Sequence, residues 1–523
     1  MYRINSSVDK PDTKYLFSEV KKMMERGIKV GNLAELYKMC VHDQEAYLKD
    51  IRTKYQIINP NSSAQVIAYL ESLNDPNVVE ACAANGKWTS NKAALETLEL
   101  MGYEVGGDIV RYRTAKKYAD SIKGMMEAAD SHGRIHPEVT LTKTNRISYK
   151  SPAIMNIPKA ILWDAVVPSK PGNVLISADI KNQEPNILIN MNDIKSLKPV
   201  LESNDGLYEA IFAQMPVYGR MNLIFDNKEK PGILDNLDLK IRGIQPIFYT
   251  PKLVPFSGIT VNGKEIMLID VINFVSPIGV IPELPNKITV TTQDGIDFDV
   301  DIKFDVDFEK PSIKKKVKSG GIIEVDGRIT GVQFKCEGNV RKEFKRAWNA
   351  MTYGASKPGV KAMCKAINGD VVYDFFTKIP ELQEYRRQCG ALASAGCQSI
   401  KTYFGTELYA NEPNPKALKR VLLDLPIQGT AADILSLLVK HFNEEVDKRG
   451  YTGKLSIYYT RHDELIIEAD KELIDEIGME AVLSEIADIV EHQVDNWVPF
   501  KLEIKPIETT SLSEIMQNSE DEE

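Results

Sequence analysis

Residues 341 to 354 have the sequence RKEFKRAWNAMTYG, which places four polar or aromatic side chains four residues apart: Arg341, Lys345, Asn349 and Tyr353. In a helix, each step of four residues overshoots a full turn by about 40°, so these side chains would share one face roughly 18 Å long. One end of that face is cationic and the other is aromatic. It suits a nucleoside triphosphate, whose phosphates Arg341 and Lys345 would bind while Tyr353 lies near the base. A solvated basic helix face is the alternative that this stretch alone leaves open.

Two acidic segments lie on either side of this stretch in the sequence. In LISADIKNQEPNIL, residues 175 to 188, an apolar run ends at Asp179, and Glu184 follows five positions later. The segment LSIYYTRHDELIIEA, residues 455 to 469, has the pattern of two short strands joined by a turn that carries His462, Asp463 and Glu464. Carboxylates at the tip of a buried hairpin are costly without a partner, and a divalent cation is the natural partner. For either segment alone, a strand end with exposed carboxylates is the alternative.

Taken together, these segments closely resemble the polymerase region of family A DNA polymerases, the class of bacterial DNA polymerase I and many phage replicases. LISADIKNQE resembles motif A of that family, R-x3-K-x3-N-x3-YG resembles motif B, and RHDELIIEA resembles motif C. Three other family segments are similar to TNRISYKSPAIMNIPK (144 to 159), RVLLDLPIQGTAADIL (420 to 435) and WVPFKLEIKP near residue 500. The resemblance follows the family's own order and identifies the chain as a phage-type member.

The resemblance implies a two-metal active site. Asp179 and Asp463 would be ligands of Mg²⁺, and the carbonyl of Ile180 would complete a site. Glu464 would lie close by in a supporting role. Two Mg²⁺ ions would stabilise the attacking 3′-hydroxyl and the leaving pyrophosphate in an in-line displacement. The residues expected to take part in catalysis are Asp179, Asp463, Glu464 and Lys345.

The resemblance also implies sites for two substrates, a deoxynucleoside triphosphate (dNTP) and primer-template DNA. The residues expected to bind the nucleotide are Arg341, Lys345, Asn349, Tyr353, Glu184 and Ile180. Among them, Glu184 matches the family's steric gate, which crowds the 2′ position of the sugar and so favours deoxyribonucleotides. The residues expected to contact the duplex are Arg146, Arg420, Gln428 and His462. For His462, a turn histidine that helps to cap the hairpin is the alternative.

Three departures from the family leave nucleotide selectivity open. Asn349 stands where the family usually has Phe or Tyr, and an amide stacks poorly compared with an aromatic ring. Pro185 and Asn186 follow the gate where the family has Leu and Arg, although proline is tolerated in the first turn of a helix. Asp424 occupies a position that is commonly Asn.

The expected fold class is α+β, a right-hand polymerase with an antiparallel palm sheet and an inserted, mainly β domain. Its expected parts are an N-terminal helical segment (1–58), a thumb (59–143), a palm (144–200 and 411–510), fingers (201–215 and 338–410), the insertion (216–337) and an acidic tail (511–523). Within the insertion, IDFDVDIKFDVDF alternates strictly, which puts apolar side chains on one face and acids on the other. Residues 310 to 321, KPSIKKKVKSGG, are expected to form an exposed basic loop that grips nucleic acid, docks a replication partner or is simply solvated.

Composition sets further limits. The net charge of −9 excludes a generally basic nucleic-acid binder and requires a locally cationic path for DNA. The six cysteines show no zinc spacing, and no signal peptide or long apolar segment is evident. We therefore expect no membrane association and a cytoplasmic location, in the bacterial host if the protein is phage-encoded. The catalytic unit is expected to be a monomer.

Fewer than 60 residues precede the thumb-like segment, too few for an α/β nuclease domain. The expectation is a polymerase without its own 3′–5′ exonuclease, so that proofreading would need a separate exonuclease or replication accessory protein. The expected function is primer-dependent, template-directed DNA synthesis. One alternative is a single-subunit RNA polymerase or primer-synthesising enzyme, against which Glu184 argues. The other is a non-catalytic DNA-binding replication factor, against which the two aspartates and Lys345 argue.

Overall fold

The computed structural model describes residues 10–84, 87–100, 102–201, 207–213, 217–226, 247–249, 253–261, 264–269, 271–292, 297–304, 306–330, 333–334, 338–364, 369–491 and 502–507. These residues divide into two compact units. The N-terminal unit contains the described residues of 10–183, 404–408 and 428–507, and the middle unit contains those of 184–403 and 409–427. The predicted acidic tail lies outside the described residues.

The helices are α1 (Thr13–Arg26), α2 (Leu33–Tyr55), α3 (Ser63–Ser72), α4 (Pro76–Cys82), α5 (Lys92–Leu100), α6 (Glu104–Ala128), α7 (Lys159–Ala165), α8 (Gln183–Met191), α9 (Lys198–Leu201), α10 (Leu207–Ala213), α11 (Pro311–Ser319), α12 (Gly338–Thr352), α13 (Lys357–Met363), α14 (Gly369–Lys378), α15 (Pro380–Ser394), α16 (Pro415–Lys448), α17 (Lys471–Ile477) and α18 (Met479–Glu491). A short 3₁₀ turn covers Ile154–Asn156.

The strands are β1 (Ile28–Lys29), β2 (Ala83–Ala84), β3 (Lys87–Trp88), β4 (Arg134–Ile135), β5 (Glu138–Leu141), β6 (Ile147–Lys150), β7 (Val174–Ile180), β8 (Val217–Phe225), β9 (Ile247–Tyr249), β10 (Leu253–Val261), β11 (Lys264–Ile269), β12 (Val271–Ser276), β13 (Lys287–Thr292), β14 (Asp297–Phe304), β15 (Gly321–Thr330), β16 (Gln333–Phe334), β17 (Ser399–Lys401), β18 (Glu407–Tyr409), β19 (Leu455–Arg461), β20 (Glu464–Ala469) and β21 (Leu502–Pro506).

An antiparallel sheet in the N-terminal unit has the strand order β19-β20-β7-β21 in the described part of the chain. Every residue of β20 is buried, so both faces of this strand are covered. Ile467 of β20 lies opposite Ile176 of β7, and neither side chain is exposed. Apolar contact across the central strands therefore fixes their register, because a slip of one residue would turn each side chain to the other face.

In the middle unit, the described strands β8 to β16 form one sheet with the order β16-β10-β11-β13-β14-β15-β8-β12-β9. The alternation predicted for β14 is confirmed: Val300 and Ile302 are buried, whereas Asp299 and Asp301 are exposed. The boundaries predicted for the insertion, thumb, palm and fingers stay predictions.

The prediction of a loop at residues 310 to 321 was wrong. Helix α11 begins with a proline at its first position, where the missing N–H is not needed. Val317 is 5% exposed and anchors the helix, while Lys314, Lys315, Lys316 and Lys318 stay in solvent. Gly320, with φ +84°, ends it. A single buried valine is too weak a periodic signal to be recognised in the sequence.

Helix α16 contains a long apolar stretch, although no long apolar segment was evident in the sequence. Among the described helices it is the one long and apolar enough to cross a membrane by length and composition. However, 83% of its most apolar window is buried inside the protein. Its apolar character is that of a core helix.

The buried pair at the centre of the antiparallel sheet gives a stability prediction. Ile467→Ala should reduce the free energy of unfolding by about 2–5 kcal/mol, because the cavity left between covered faces cannot fill. The matched control is Ile477→Ala, since Ile477 is 36% exposed at the end of α17. Calorimetry of thermal unfolding measures the melting temperatures of the two variants. Equal shifts in the melting temperature would contradict the assigned burial.

Candidate active site

The sheet of the N-terminal unit places Asp179 opposite Glu464. The two residues are direct partners in the register of β7 and β20. The backbone N–H of Ile180 donates to the carbonyl of Asp463 at 3.4 Å. Side chains directly opposite each other on antiparallel strands have Cβ atoms about 4.5–5.5 Å apart. Strand pairing therefore brings the acids of the two predicted motifs together, although they are far apart in sequence.

Lys159 joins these two carboxylates. It is the first residue of α7, and its Nζ lies 3.2 Å from Oδ2 of Asp179 and 3.0 Å from Oε1 of Glu464. The same ammonium lies 4.7 Å from the centre of the Trp163 ring. Burial alone would lower the pKa of Lys159, but Glu464 and Asp179 raise it above its ordinary value. The ion pairs thus offset the repulsion between opposed carboxylates.

The two carboxylates differ in their access to solvent. The side chain of Glu464 is 3% exposed, whereas that of Asp179 is 23% exposed. The hydroxyl of Ser177, two residues before Asp179 on the same face of β7, donates to Glu464. Burial raises the pKa of Glu464 above its ordinary value, although Lys159 and Ser177 act in the opposite direction. A ligand that enters from solvent therefore meets Asp179 before Glu464.

His462 and Asp463 form the turn between β19 and β20. His462 is exposed, and its φ of +54° lies in the left-handed region that non-glycine residues seldom adopt. Asp463 is half-buried. Both residues lie at the tip of the hairpin, as the sequence predicts, while Glu464 already belongs to the second strand.

The donor set around Asp179 suits a hard cation. Among the described residues, no group of three or more His, Cys, Asp or Glu side chains is placed to hold a metal ion. Mg²⁺ seldom needs such a group, because one or two carboxylates together with substrate phosphates and water commonly hold it. Asp179, Asp463 and the carbonyl of Ile180 offer only oxygen atoms. The ammonium of Lys159 lies 3.2 Å from Asp179, so this carboxylate already accommodates a positive charge. The residues present therefore fit a cation.

Sequence reasoning missed three polar residues of this site: Lys159, Ser177 and Glu503. The buried acid at position 464 was the available signal for Lys159, because a buried carboxylate needs a cation or donors. Glu503 lies opposite Asp179 on the other neighbouring strand, β21. The hydrogen bond from Lys181 holds the pKa of Glu503 at about 2, and Lys505 lies 3.0 Å away. Lys181 and Lys505 therefore balance the negative charge of Glu503.

In the middle unit, residues 341 to 352 lie in helix α12, and Tyr353 follows its last residue. The helix buries an apolar face formed by Phe344, Ala347, Trp348 and Met351. The Trp348 ring packs edge-on against Phe376 of α14, with the ring centres 4.9 Å apart. The four predicted site residues are at most half-buried. The expected division into an apolar and a polar face is therefore present.

Helix α10 supplies partners for this polar face. The hydroxyl of Tyr208 donates to Oδ1 of Asn349 at 3.1 Å, and Glu209 pairs with Arg341. Tyr208 is 1% exposed, and burial raises its pKa. Lys345 is exposed, with its Nζ 6.0 Å from the centre of the Tyr208 ring. Asn349, which stands where an aromatic residue was expected, is thus hydrogen-bonded to a buried tyrosine of another helix.

Glu184 lies in the first turn of α8, where the hydroxyl of Tyr353 donates to it. This contact joins two residues predicted to bind the nucleotide. Pro185 is the third residue of α8, within the first turn, where proline leaves no helical acceptor without its donor. The departure from the family pattern therefore does not break the helix.

The predicted DNA contacts are placed as follows. Arg146 is half-buried in the turn between β5 and β6. Arg420 is exposed, and Gln428 is half-buried; both belong to α16, as does the half-buried Asp424. Their roles stay predictions.

Comparison with known proteins places the chain in a family. The sequence pattern of DNA polymerase family A matches residues 31–219 and 327–508, more than half of the chain. DNA polymerase I of Rhizobium leguminosarum is 19% identical over 439 residues, which cover 80% of this chain and 32% of that protein. DNA polymerase I of Pseudomonas aeruginosa is 25% identical over 149 residues, which cover 27% of this chain and 16% of that protein.

A solved structure has a similar fold. The POL domain of Pol1 from M. smegmatis, in complex with DNA primer-template and dNTP, superposes with a TM-score of 0.59. It is 17% identical, and the match covers 94% of this chain and 68% of that chain. Its mixture of helices and sheets agrees with the predicted α+β class.

The chain belongs to DNA polymerase family A. It spans about a third of the length of the first of the curated relatives that it matches.

The partly buried hydrogen bond between Tyr208 and Asn349 gives a prediction for the polar face. Asn349→Ala should cost about 1–3 kcal/mol of unfolding free energy, because the hydroxyl of Tyr208 loses its acceptor while it stays buried. Tyr208→Phe should cost less, and the double variant should resemble Tyr208→Phe alone. Chemical denaturation of the three variants measures the coupling. Strictly additive losses would contradict the hydrogen bond.

Proposed function

We propose that this chain catalyses template-directed, primer-dependent DNA synthesis and adds deoxynucleotides to a 3′-hydroxyl. The observation that carries the proposal is the cross-strand pairing of Asp179 with Glu464, next to Asp463, in a chain of DNA polymerase family A. The related POL domain holds DNA primer-template and a dNTP. The same two classes of ligand are proposed as partners here, within a right-hand arrangement of palm, fingers and thumb.

Asp179, Asp463 and the carbonyl of Ile180 would hold Mg²⁺. Two such ions supply, when bound, electrostatic stabilisation of the attacking and leaving oxygens. The chain prepares their site through the register of β7 and β20, which sets the spacing of the acids. Ser177 and Lys159 keep the side chain of Glu464 in one orientation. Glu464 thereby supports the site without being a first point of contact for solvent.

The polar face of α12 would bind the triphosphate. Lys345 is exposed and can approach phosphate oxygens directly. Arg341 is paired with Glu209, so phosphate binding would exchange one anionic partner for another. The hydrogen bond from Tyr353 restrains Glu184, and a restrained carboxylate can crowd the 2′ position of a ribose more effectively than a mobile one. This contact supports DNA synthesis over the alternative of RNA or primer synthesis.

Several finer features belong to the same proposal. The primer-template would contact Arg146, Arg420, Gln428 and His462. Residues 220 to 326, outside the family match, are proposed as part of an inserted domain that serves a replication partner. The absence of proofreading, the use of a separate exonuclease and a cytoplasmic location stay predictions.

The carboxylate assignment can be tested by Asp463→Ala. Extension of a primed template with Mg²⁺ and dNTPs should slow about 1,000-fold or more, because several kcal/mol of charge stabilisation are lost. Binding of the same duplex should change little. The control is Asp475→Ala, which removes an exposed carboxylate on α17. Normal primer extension by Asp463→Ala would contradict the assignment of Asp463 as a metal ligand.

Sugar selection can be tested by Glu184→Ala. The preference for deoxyribonucleotides over ribonucleotides should fall about tenfold or more, since the group that crowds the 2′ position is gone. Tyr353→Phe keeps the carboxylate but removes its donor, so it should lower the preference to a smaller extent. Steady-state incorporation of deoxyribonucleotides and ribonucleotides on one primed template measures this preference for each variant. An unchanged ratio in Glu184→Ala would show that the gate lies elsewhere.

A further inference from the structure

The ammonium of Lys159 lies between the two opposed carboxylates of the site. Lys159 contacts Asp179 at 3.2 Å and Glu464 at 3.0 Å, and its side chain is 21% exposed. The neighbouring Lys181 and Lys505 differ, because both pair with Glu503 and are close to half exposed. The ammonium of Lys159, by contrast, lies between Asp179 and Glu464 and contacts both.

The position of Lys159 is set by its surroundings. The residue starts α7 directly after Pro158, and its ammonium lies against the ring of Trp163, four residues later on the same helix. A cation over an aromatic face is attracted by the ring, and more strongly when it is shielded from water. The ammonium is therefore held beside the carboxylates by the ring as well as by the two ion pairs.

We propose that Lys159 is a built-in counter-ion of the metal site, which offsets part of the negative charge of Asp179 and Glu464 before a divalent cation binds and then releases Asp179. The inference rests on the proposed function. Lys159 is expected to release Asp179 rather than Glu464, because the two carboxylates differ in exposure and in their other partners. Asp179 is accessible to solvent, whereas Glu464 is buried and also held by Ser177. An entering cation can compete for Asp179, while Lys159 keeps its contact with Glu464.

Two consequences follow for the enzyme without a divalent cation. The opposed acids stay close together, because the ammonium that contacts both of them offsets their repulsion. Divalent cations also bind more weakly than they would to the same acids without Lys159, since they must displace one of its contacts. Lys159 is accordingly a positioning residue that sets cation affinity, and it need not touch substrate.

The test is Mn²⁺ binding to the whole protein without DNA or nucleotide, measured by calorimetry and by electron paramagnetic resonance. Lys159→Met should bind Mn²⁺ about tenfold more tightly than the unaltered protein, a change of about 1.4 kcal/mol. Lys159→Arg keeps the positive charge, so its Mn²⁺ affinity should be closer to that of the unaltered protein than to that of Lys159→Met. The matched control is Lys454→Met, which removes a lysine that pairs with Glu476 before the start of β19, away from the hairpin turn, and should leave Mn²⁺ affinity unchanged.

Thermal unfolding gives a second readout. In the presence of a chelator, Lys159→Met should melt at a lower temperature than the unaltered protein, and saturating Mn²⁺ should remove most of that difference. Equal or weaker Mn²⁺ binding by Lys159→Met, or a melting deficit that Mn²⁺ does not reduce, would overturn the proposal. If Lys159→Met does not fold, Lys159→Gln removes the same charge with a polar side chain and is judged by the same criteria.

The outcomes separate this inference from the proposed function. If the unaltered protein extends primers but Lys159→Met and Lys159→Gln bind Mn²⁺ no more tightly than it does, the counter-ion role fails while polymerase activity stands. If the affinity rises as expected but the unaltered protein extends no primer with Mg²⁺ and dNTPs, the counter-ion role stands and the polymerase proposal fails.

Discussion

The contact of one ammonium, that of Lys159, with both Asp179 and Glu464 constrains much of the N-terminal unit. Two carboxylates opposite each other on adjacent strands repel, and in a partly buried place this repulsion is large enough to oppose the pairing of the strands. Lys159 offsets it from the start of α7, while Ser177 satisfies the deeper acid. The register of β7 and β20, the starting point of α7 and the position of the Trp163 ring are therefore parts of one charge balance.

The middle unit follows the same logic on its polar helix face. Asn349 is held by Tyr208, Arg341 by Glu209, and Glu184 by Tyr353. Each of these three residues, for which a chemical role is predicted, thus has a partner that restricts its rotamers. Such restriction favours ligand binding, because a side chain that is already ordered loses less entropy when a ligand arrives.

Local patterns were sufficient to predict several elements of the fold. The four-residue spacing from Arg341 to Asn349 predicted helix α12, and the two apolar runs around His462 and Asp463 predicted the β19–β20 hairpin. The alternation in β14 was read correctly as well. The same kind of reasoning failed for α11, because one buried valine among lysines gives no recognisable periodicity. It also failed to find Lys159, Tyr208 and Glu209.

By itself, the sequence determined which residue types lie on which face of a helix or strand, and the order of its motifs placed the acids and cations in a polymerase pattern. Such information is local, because helical and strand periodicities depend on neighbours within a few residues. Only the tertiary structure decided which charged groups meet. Lys159 reaches Asp179 and Glu464 because strand register and the packing of α7 bring three distant segments together, and no spacing along the chain encodes that contact.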